Sequence, residues 1–238
     1  WSEFVRLPAE WVIPLPDGLT LDETMIYGTA GFTAAQSVLS LVEHGVKPDD
    51  GPIVVTGSSA MVSEREPWSE RAAAWLAHAI DERVPTLGIC YGHQLLAHAL
   101  GGEVGRNPRG REIGTVAVEL DGAHRDPLLG PLGPRVRAHA THVESVLRLP
   151  AVAARLARNS ADPHHAFRIG SARDPVAWGV QFHPEFDADV MRGYLEARRE
   201  VIAEEGLDAD ALLAAVNETP DGPALLGRFG AWVEKREP

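Results

Sequence analysis

Seven residues, Gly88-Ile89-Cys90-Tyr91-Gly92-His93-Gln94, constrain this chain most, because they put a thiol where an apolar strand gives way to a helix. Pro85 to Ile89 is a short β-prone run. Cys90 to Leu100 then carries apolar residues at helical spacing until Gly101-Gly102 stops it. A strand that turns straight into a helix is the unit of a parallel α/β sheet, and sites in such sheets form at the carboxyl ends of strands. The tight turn projects the Cys90 side chain. The helix N-terminus favours an anion there and lowers the thiol pKa. Free N–H groups of the first turn, that of Tyr91 among them, can meet an oxyanion. Free cysteines are commonly inert core residues, however, so position alone does not make Cys90 reactive.

The rest of the chain from Ile53 onward alternates strands and helices. Ile53 to Thr56 reads as a buried parallel strand ending at Gly57, and Trp68 to Arg83 as an Ala-rich helix with Trp75, Leu76, Ala79 and Ile80 on one face. Glu112 to Leu120 suggests a strand of a more exposed sheet, and Val176 to Phe182 another strand. Asp187 to Glu205, Asp208 to Val216 and Ala224 to Lys235 read as helices. The pattern predicts an α/β fold with a doubly wound, mostly parallel sheet flanked by helices. Residues 1–52 differ. Their extended pieces, Phe4–Leu7 and Trp11–Leu15, are broken by Pro8, Pro14 and Pro16. A helical stretch from Leu21 to His44 follows, interrupted by Gly28 and Gly31.

A cysteine hydrolase needs a base within reach of sulfur and a third group to hold the imidazole tautomer. Gly179-Val180-Gln181-Phe182-His183-Pro184-Glu185 ends a strand and supplies both, with Pro184 stiffening the link between His183 and Glu185. The Cys90 run and Gln181-Phe182-His183-Pro184-Glu185, about 90 residues apart, resemble the two signatures of the class I glutamine amidotransferases. The resemblance implies a flavodoxin-like sheet, with Cys90 as nucleophile, His183 as base and Glu185 orienting that base. It also implies an oxyanion hole from the N–H groups of Gly57 and Tyr91. Thr56-Gly57-Ser58 stands where the family has a Gly-Gly-Pro-like loop, so two of its three residues are replaced. Arg111-Glu112-Ile113-Gly114 and Thr141 to Val146 also resemble family segments, which makes Gln94, His142 and Val143 substrate-binding candidates; the Gln94 amide would grip the zwitterion.

Within that family the chain resembles free-standing enzymes similar to the amidotransferase part of GMP synthase. The implied reaction is hydrolysis of the glutamine side-chain amide through a Cys90 γ-glutamyl thioester, releasing ammonia; an ammonia-accepting synthetase partner is possible, and the sequence does not identify it. No metal or organic cofactor is implied. Two alternatives stay open: a γ-glutamyl peptidase acting on glutathione-like compounds, and a catalytically idle interaction module.

Trp11 to Gly18 and Gly28 to Ala34 resemble a different family, the quinone-oxidoreductase and acrylyl-CoA-reductase branch of the medium-chain dehydrogenases. In those enzymes a glycine-rich dinucleotide loop follows the next strand, but Gly57 to Ser63 lacks the further glycines, so hydride transfer is not expected. The chain therefore reads as two parts, an atypical segment 1–52 and an amidotransferase-like domain 53–238. In a chimera of this kind the opening strands of the sheet are replaced, and the exposed edge predicts lowered stability or self-association into a homodimer.

The formal charge of −12 speaks against a general nucleic-acid binder, and no apolar run is long enough to span a membrane. A single cysteine and no signal-peptide pattern fit the reducing cytoplasm. Among the other histidines, His124, His139 and the pair His164-His165 show no partner spacing and read as surface residues. His93 and His98 are expected to pack or cap on the helix that follows Cys90. No Cys/His spacing suggests a metal site.

Overall fold

A computed structural model of the chain describes residues 52–235, so the expectations for residues 1–51 and the last three residues lie outside the described part. The central sheet contains β1 (Ile53–Val55), β2 (Thr86–Ile89), β7 (Ala153–Ala157), β8 (Ala166–Gly170) and β9 (Pro175–Val180), in the order β1-β2-β9-β8-β7. The strands β1, β2 and β9 run parallel, with Val54 opposite Leu87 and Leu87 opposite Trp178. The hairpin β7–β8 extends the sheet antiparallel. This is the α/β class that the alternating pattern predicts. Val55 is buried, but Val54 keeps 49% of its surface exposed, so β1 is only half covered.

One face of the sheet carries two helices, α1 (Pro67–Asp81) and α2 (Tyr91–Ala99). Pro67 opens α1, where its missing N–H costs nothing, and Arg83, with φ of 61°, ends the segment in the left-handed region. The other face is covered by the antiparallel hairpin β4 (Glu112–Glu119) and β5 (Arg135–His142), and by the C-terminal helix α6 (Asp221–Glu234). Leu87, Ile89, Trp178 and Val180 point into that second layer and meet Val118, Val136, Leu225 and Phe229. Each such large side chain contributes about 1.5–3 kcal/mol by leaving water. The Trp178 indole N–H is not stranded by this burial. It donates to the carboxylate of Asp126, which also accepts from Arg168 and from the backbone N–H groups of Leu128 and Leu129.

A short strand β3 (Glu103–Arg106) pairs antiparallel with β6 (Glu144–Arg148). Between β5 and β6 only Val143 is unpaired, so at that residue the chain leaves one ladder and joins another. The remaining helices are α3 (Ala188–Ala197), α4 (Arg199–Glu204) and α5 (Ala209–Ala214). Asp187 starts α3 by accepting from the Val190 N–H at 2.8 Å. Two expectations are corrected here. The segment from Asp187 to Glu205 is not one helix; it breaks at Arg198, whose guanidinium lies 3.8 Å over the Tyr194 ring. The first half of β4 is not exposed, because Ile113 packs with Met191, Leu195 and Ala209 of α3 and α5. Among the described residues, no helix is long and apolar enough to cross a membrane.

Candidate active site

Cys90 occupies the junction of β2 and α2 with φ 52° and ψ −103°, a conformation that costs a non-glycine residue about 1–3 kcal/mol. Two backbone bonds hold it there. Its N–H donates to the Val180 carbonyl at 2.8 Å, and its carbonyl accepts from the Gln94 N–H at 3.1 Å. Three glycines let α2 sit directly on the sheet. Gly88 and Gly179 are partners across β2 and β9. A β-carbon on Gly88 would stand 2.5 Å from the Gly92 carbonyl oxygen, and one on Gly179 would stand 2.7 Å from His93 Nδ1. One on Gly92 would overlap the Val55 carbonyl.

His183 follows β9, and its N–H donates to the His139 carbonyl at 2.7 Å. Its ring stacks on Phe186 with centroids 4.2 Å apart. Nδ1 lies 2.7 Å from Glu185 Oε1. A carboxylate only accepts, so Nδ1 carries the proton. Nε2 is buried without a partner of full hydrogen-bond geometry among the described residues, and the ring interacts with the Cys90 thiol. The thiol itself lies 3.9 Å from the Thr141 carbonyl. Burial pushes the Cys90 pKa up, but the charge and hydrogen bonding of His183, aided by His142, outweigh it, and the net shift is down. For His183 burial pushes down, and Cys90 first, then Glu185, reverse it to a net rise. Both directions favour a thiolate–imidazolium pair. Glu185 has a third of its side chain exposed, so water partly screens its charge.

Cys90 opens on a cavity of about 160 Å³ lined by the loop Ser58 to Met61, by Tyr91 and Gln94, by Thr141 to Glu144, and by Arg111, Tyr194 and Arg198. Gly57 lies just behind this wall, close to both Cys90 and His183. All eight residues singled out in the sequence are thus brought to one place. Gln94 uses its side chain differently from expectation. Both amide hydrogens of Gln94 are taken by the protein, through Nε2 donating to the Glu144 carbonyl at 2.8 Å and to Gln181 Oε1 at 3.0 Å. His142 turns its ring inward, leaving its backbone at the cavity. Arg198 and Tyr194 line the cavity but carry no signal in the sequence, where they read as helix surface.

Residues 39–199 match the family described as glutamine amidotransferase class-I. The chain belongs to that family. It is 38% identical over 138 residues to the glutamine-hydrolyzing GMP synthase of Aeropyrum pernix, covering 58% of this chain and 25% of that one. It is also 49% identical over 61 residues to quinone oxidoreductase YhfP of Bacillus subtilis, covering 26% of this chain and 18% of that one. The chain therefore spans a quarter or less of either relative. A solved glutamine amidotransferase of Thermotoga maritima superposes with a TM-score of 0.61 at 26% identity, over 76% of each chain.

Behind the cavity of this class I chain lies a buried cluster. Glu112 Oε2 lies 2.9 Å from His142 Nε2 and 2.8 Å from His165 Nε2, while Asn159 donates to Oε1 at 2.5 Å. Two imidazoles and a carboxylate whose ligand atoms lie within 4.8 Å of one another can also hold a divalent cation. Protons account for the geometry equally. His142 Nδ1 faces the Glu144 carbonyl at 2.9 Å, and both its acceptors can only accept, so His142 carries both protons. Burial works against that charge, but Glu112 raises the His142 pKa. Glu112 in turn is held far below the usual carboxylate range: burial opposes this, and the bonds from His142 and His165 prevail. His165 and His139 are fully buried, correcting their reading as surface residues, and His164 is half-buried with Nδ1 2.6 Å from the Val146 carbonyl. His124 is exposed. His93 is buried against Phe167, and His98 bonds Glu70 at 2.9 Å.

Proposed function

We propose that this chain hydrolyses the side-chain amide of glutamine through a γ-glutamyl thioester on Cys90. One observation carries the reading: a strained thiol at a helix N-terminus is coupled to a buried imidazole whose far nitrogen is 2.7 Å from a carboxylate. The Cys90 thiolate attacks the amide carbon, and the amide π electrons move to oxygen. N–H groups of Gly57 and Tyr91 stabilise that oxyanion, each donor contributing about 3–4 kcal/mol in sites of this type. Collapse breaks the carbon–nitrogen bond, and the imidazolium of His183 gives its proton to the departing ammonia. Neutral His183 then takes a proton from water, which attacks the thioester and frees glutamate and the thiol. Gln94 and the backbone at His142 and Val143 bound the γ-glutamyl group, and Arg198 supplies a cation for its α-carboxylate. No metal or organic cofactor is needed in this sequence of steps.

The name of the Aeropyrum pernix relative, a glutamine-hydrolyzing synthase, supports coupling of the released ammonia to a synthetase. The deciding experiment is mass spectrometry of Cys90 after brief exposure to glutamine, with ammonia release followed in parallel. A γ-glutamyl adduct confined to Cys90 is the expected result. Ammonia release without Cys90, or no adduct under any quench, overturns the reading. The two-part organisation, with segment 1–52 grafted onto the amidotransferase domain, is likewise proposed, and the YhfP match supports it.

A further inference from the structure

A second cavity, of about 320 Å³, adjoins the one at Cys90. Arg111 and Val143 line both, and the second also has Arg106, Arg109 and Glu205 in its walls. Three arginines and one glutamate thus line this cavity in a chain whose formal charge is −12. Arg111 neutralises Glu205 in a two-pronged pair of 2.6 and 2.8 Å. Arg106 and Arg109 have exposed side chains with no hydrogen-bonded carboxylate among the described residues. The turn that presents them is preformed. The Asn107 N–H donates to the Val143 carbonyl at 2.8 Å, its side-chain oxygen accepts from the Arg109 N–H at 2.9 Å, and its side-chain nitrogen donates to the Ala161 carbonyl. Val143, one of the two residues bordering both cavities, is therefore tied to the basic turn by a backbone hydrogen bond.

Ammonia leaving from glutamine has no use for a basic cavity. We infer that this chain accepts γ-glutamyl donors whose departing amine bears its own carboxylate, γ-glutamyl amino acids or short γ-glutamyl peptides, with that carboxylate held by Arg106 and Arg109. The inference rests on the Cys90 thioester reading. The bond changes are the same: sulfur joins the γ-carbon, the amide carbon–nitrogen bond breaks, and the amine leaves with the His183 proton. Charge-assisted pairing of guanidinium with carboxylate supplies the selectivity.

The test uses Cys90→Ala protein, which binds without turnover, and two donors that differ only in the distal carboxylate: γ-glutamylglycine and the γ-glutamyl methylamide. Calorimetry is expected to give about tenfold tighter binding of γ-glutamylglycine, a gap that narrows with added salt. Adding Arg106→Gln and Arg109→Gln is expected to close the gap to about twofold or less, with an unchanged unfolding midpoint. Equal affinity for the two donors, no binding of either, or a gap that survives both substitutions overturns the inference. Failure of the thioester reading is read separately, from the intact protein: no Cys90 adduct with either donor, whatever the binding gap.

Discussion

A β-carbon on Gly57 would stand 3.1 Å from Cε1 of His183 and 3.9 Å from Cβ of Cys90, so this one residue touches both halves of the candidate site. That clearance is tighter than ordinary packing, and the imidazole is also stacked on Phe186. Gly57→Ala is expected to displace the ring by a few tenths of an ångström and to lower kcat about tenfold or more, because small misplacements near reacting atoms are costly. Thermal unfolding should barely move. Steady-state ammonia release checks the first part, and wild-type kcat in the variant would sink the idea.

Cys90→Ser should reduce amide hydrolysis by about two orders of magnitude or more while folding normally, since a hydroxyl is a far weaker nucleophile than a thiolate. His183→Ala should fall comparably. Glu185→Ala should fall less, because water already reaches a third of that side chain and its task is to hold a tautomer. The order of the three, measured as kcat/KM, is the prediction; an equal loss for Glu185→Ala and Cys90→Ser contradicts it.

The opposed shifts of Cys90 and His183 set a pH range in which both are charged. Because the thiol pKa is lowered, the thiolate persists as pH falls, until protonation of Cys90 itself ends it. An ordinary thiol of pKa about 8.5 is only about 1% ionised at pH 6.5. Iodoacetamide should therefore still alkylate Cys90 rapidly near that pH. A rate that follows an ordinary thiol titration would show that the pair is not assembled.

Glu112→Gln should destabilise the protein by about 3 kcal/mol, because it leaves a buried imidazolium without its counter-charge. The sign with pH follows from both partners. Glu112 has a depressed pKa, so its contribution is present above the ordinary value of 4.5 and lost as pH falls through the folded one. His142 has a raised pKa, so its contribution is complete below 6.5 and lost as pH rises through the folded one. Denaturant unfolding should thus show the greatest penalty between these two values. A penalty independent of pH would assign the loss to packing alone.

The elbow and the His183-Pro184-Glu185 run could be read from sequence because each is local. A switch from strand to helix around a thiol, and an imidazole two residues from a carboxylate on a strand end, need no knowledge of what lies across the fold. The cluster at Glu112 could not be read this way. Its partners come from three different segments, with His142 and His165 separated from Glu112 by 30 and 53 residues, and a lone histidine on a strand looks the same whether its ring faces water or a buried acid. The break between α3 and α4 was equally silent, since no glycine or proline marks it and Arg198 is a good helix former. What bends the chain there is accompanied by the stack of Arg198 on Tyr194, a contact that only the folded chain displays.

The contacts of Gly88 with the Gly92 carbonyl and of Gly92 with the Val55 carbonyl make the height of Cys90 above the sheet a matter of backbone against backbone. Most distances in a protein interior are averages over side chains that can exchange volume with one another, and so drift when the core is repacked. This one has no side chain in series with it. It works as a reference surface does in a machined part: the surroundings can change size without moving it, and a single added methyl cannot be absorbed. Variation in what reaches the thiol is then left to the parts of the wall away from that contact, the Ser58 to Met61 segment and the bend at Arg198. A change of donor on this scaffold can come from those two places without Cys90 being repositioned.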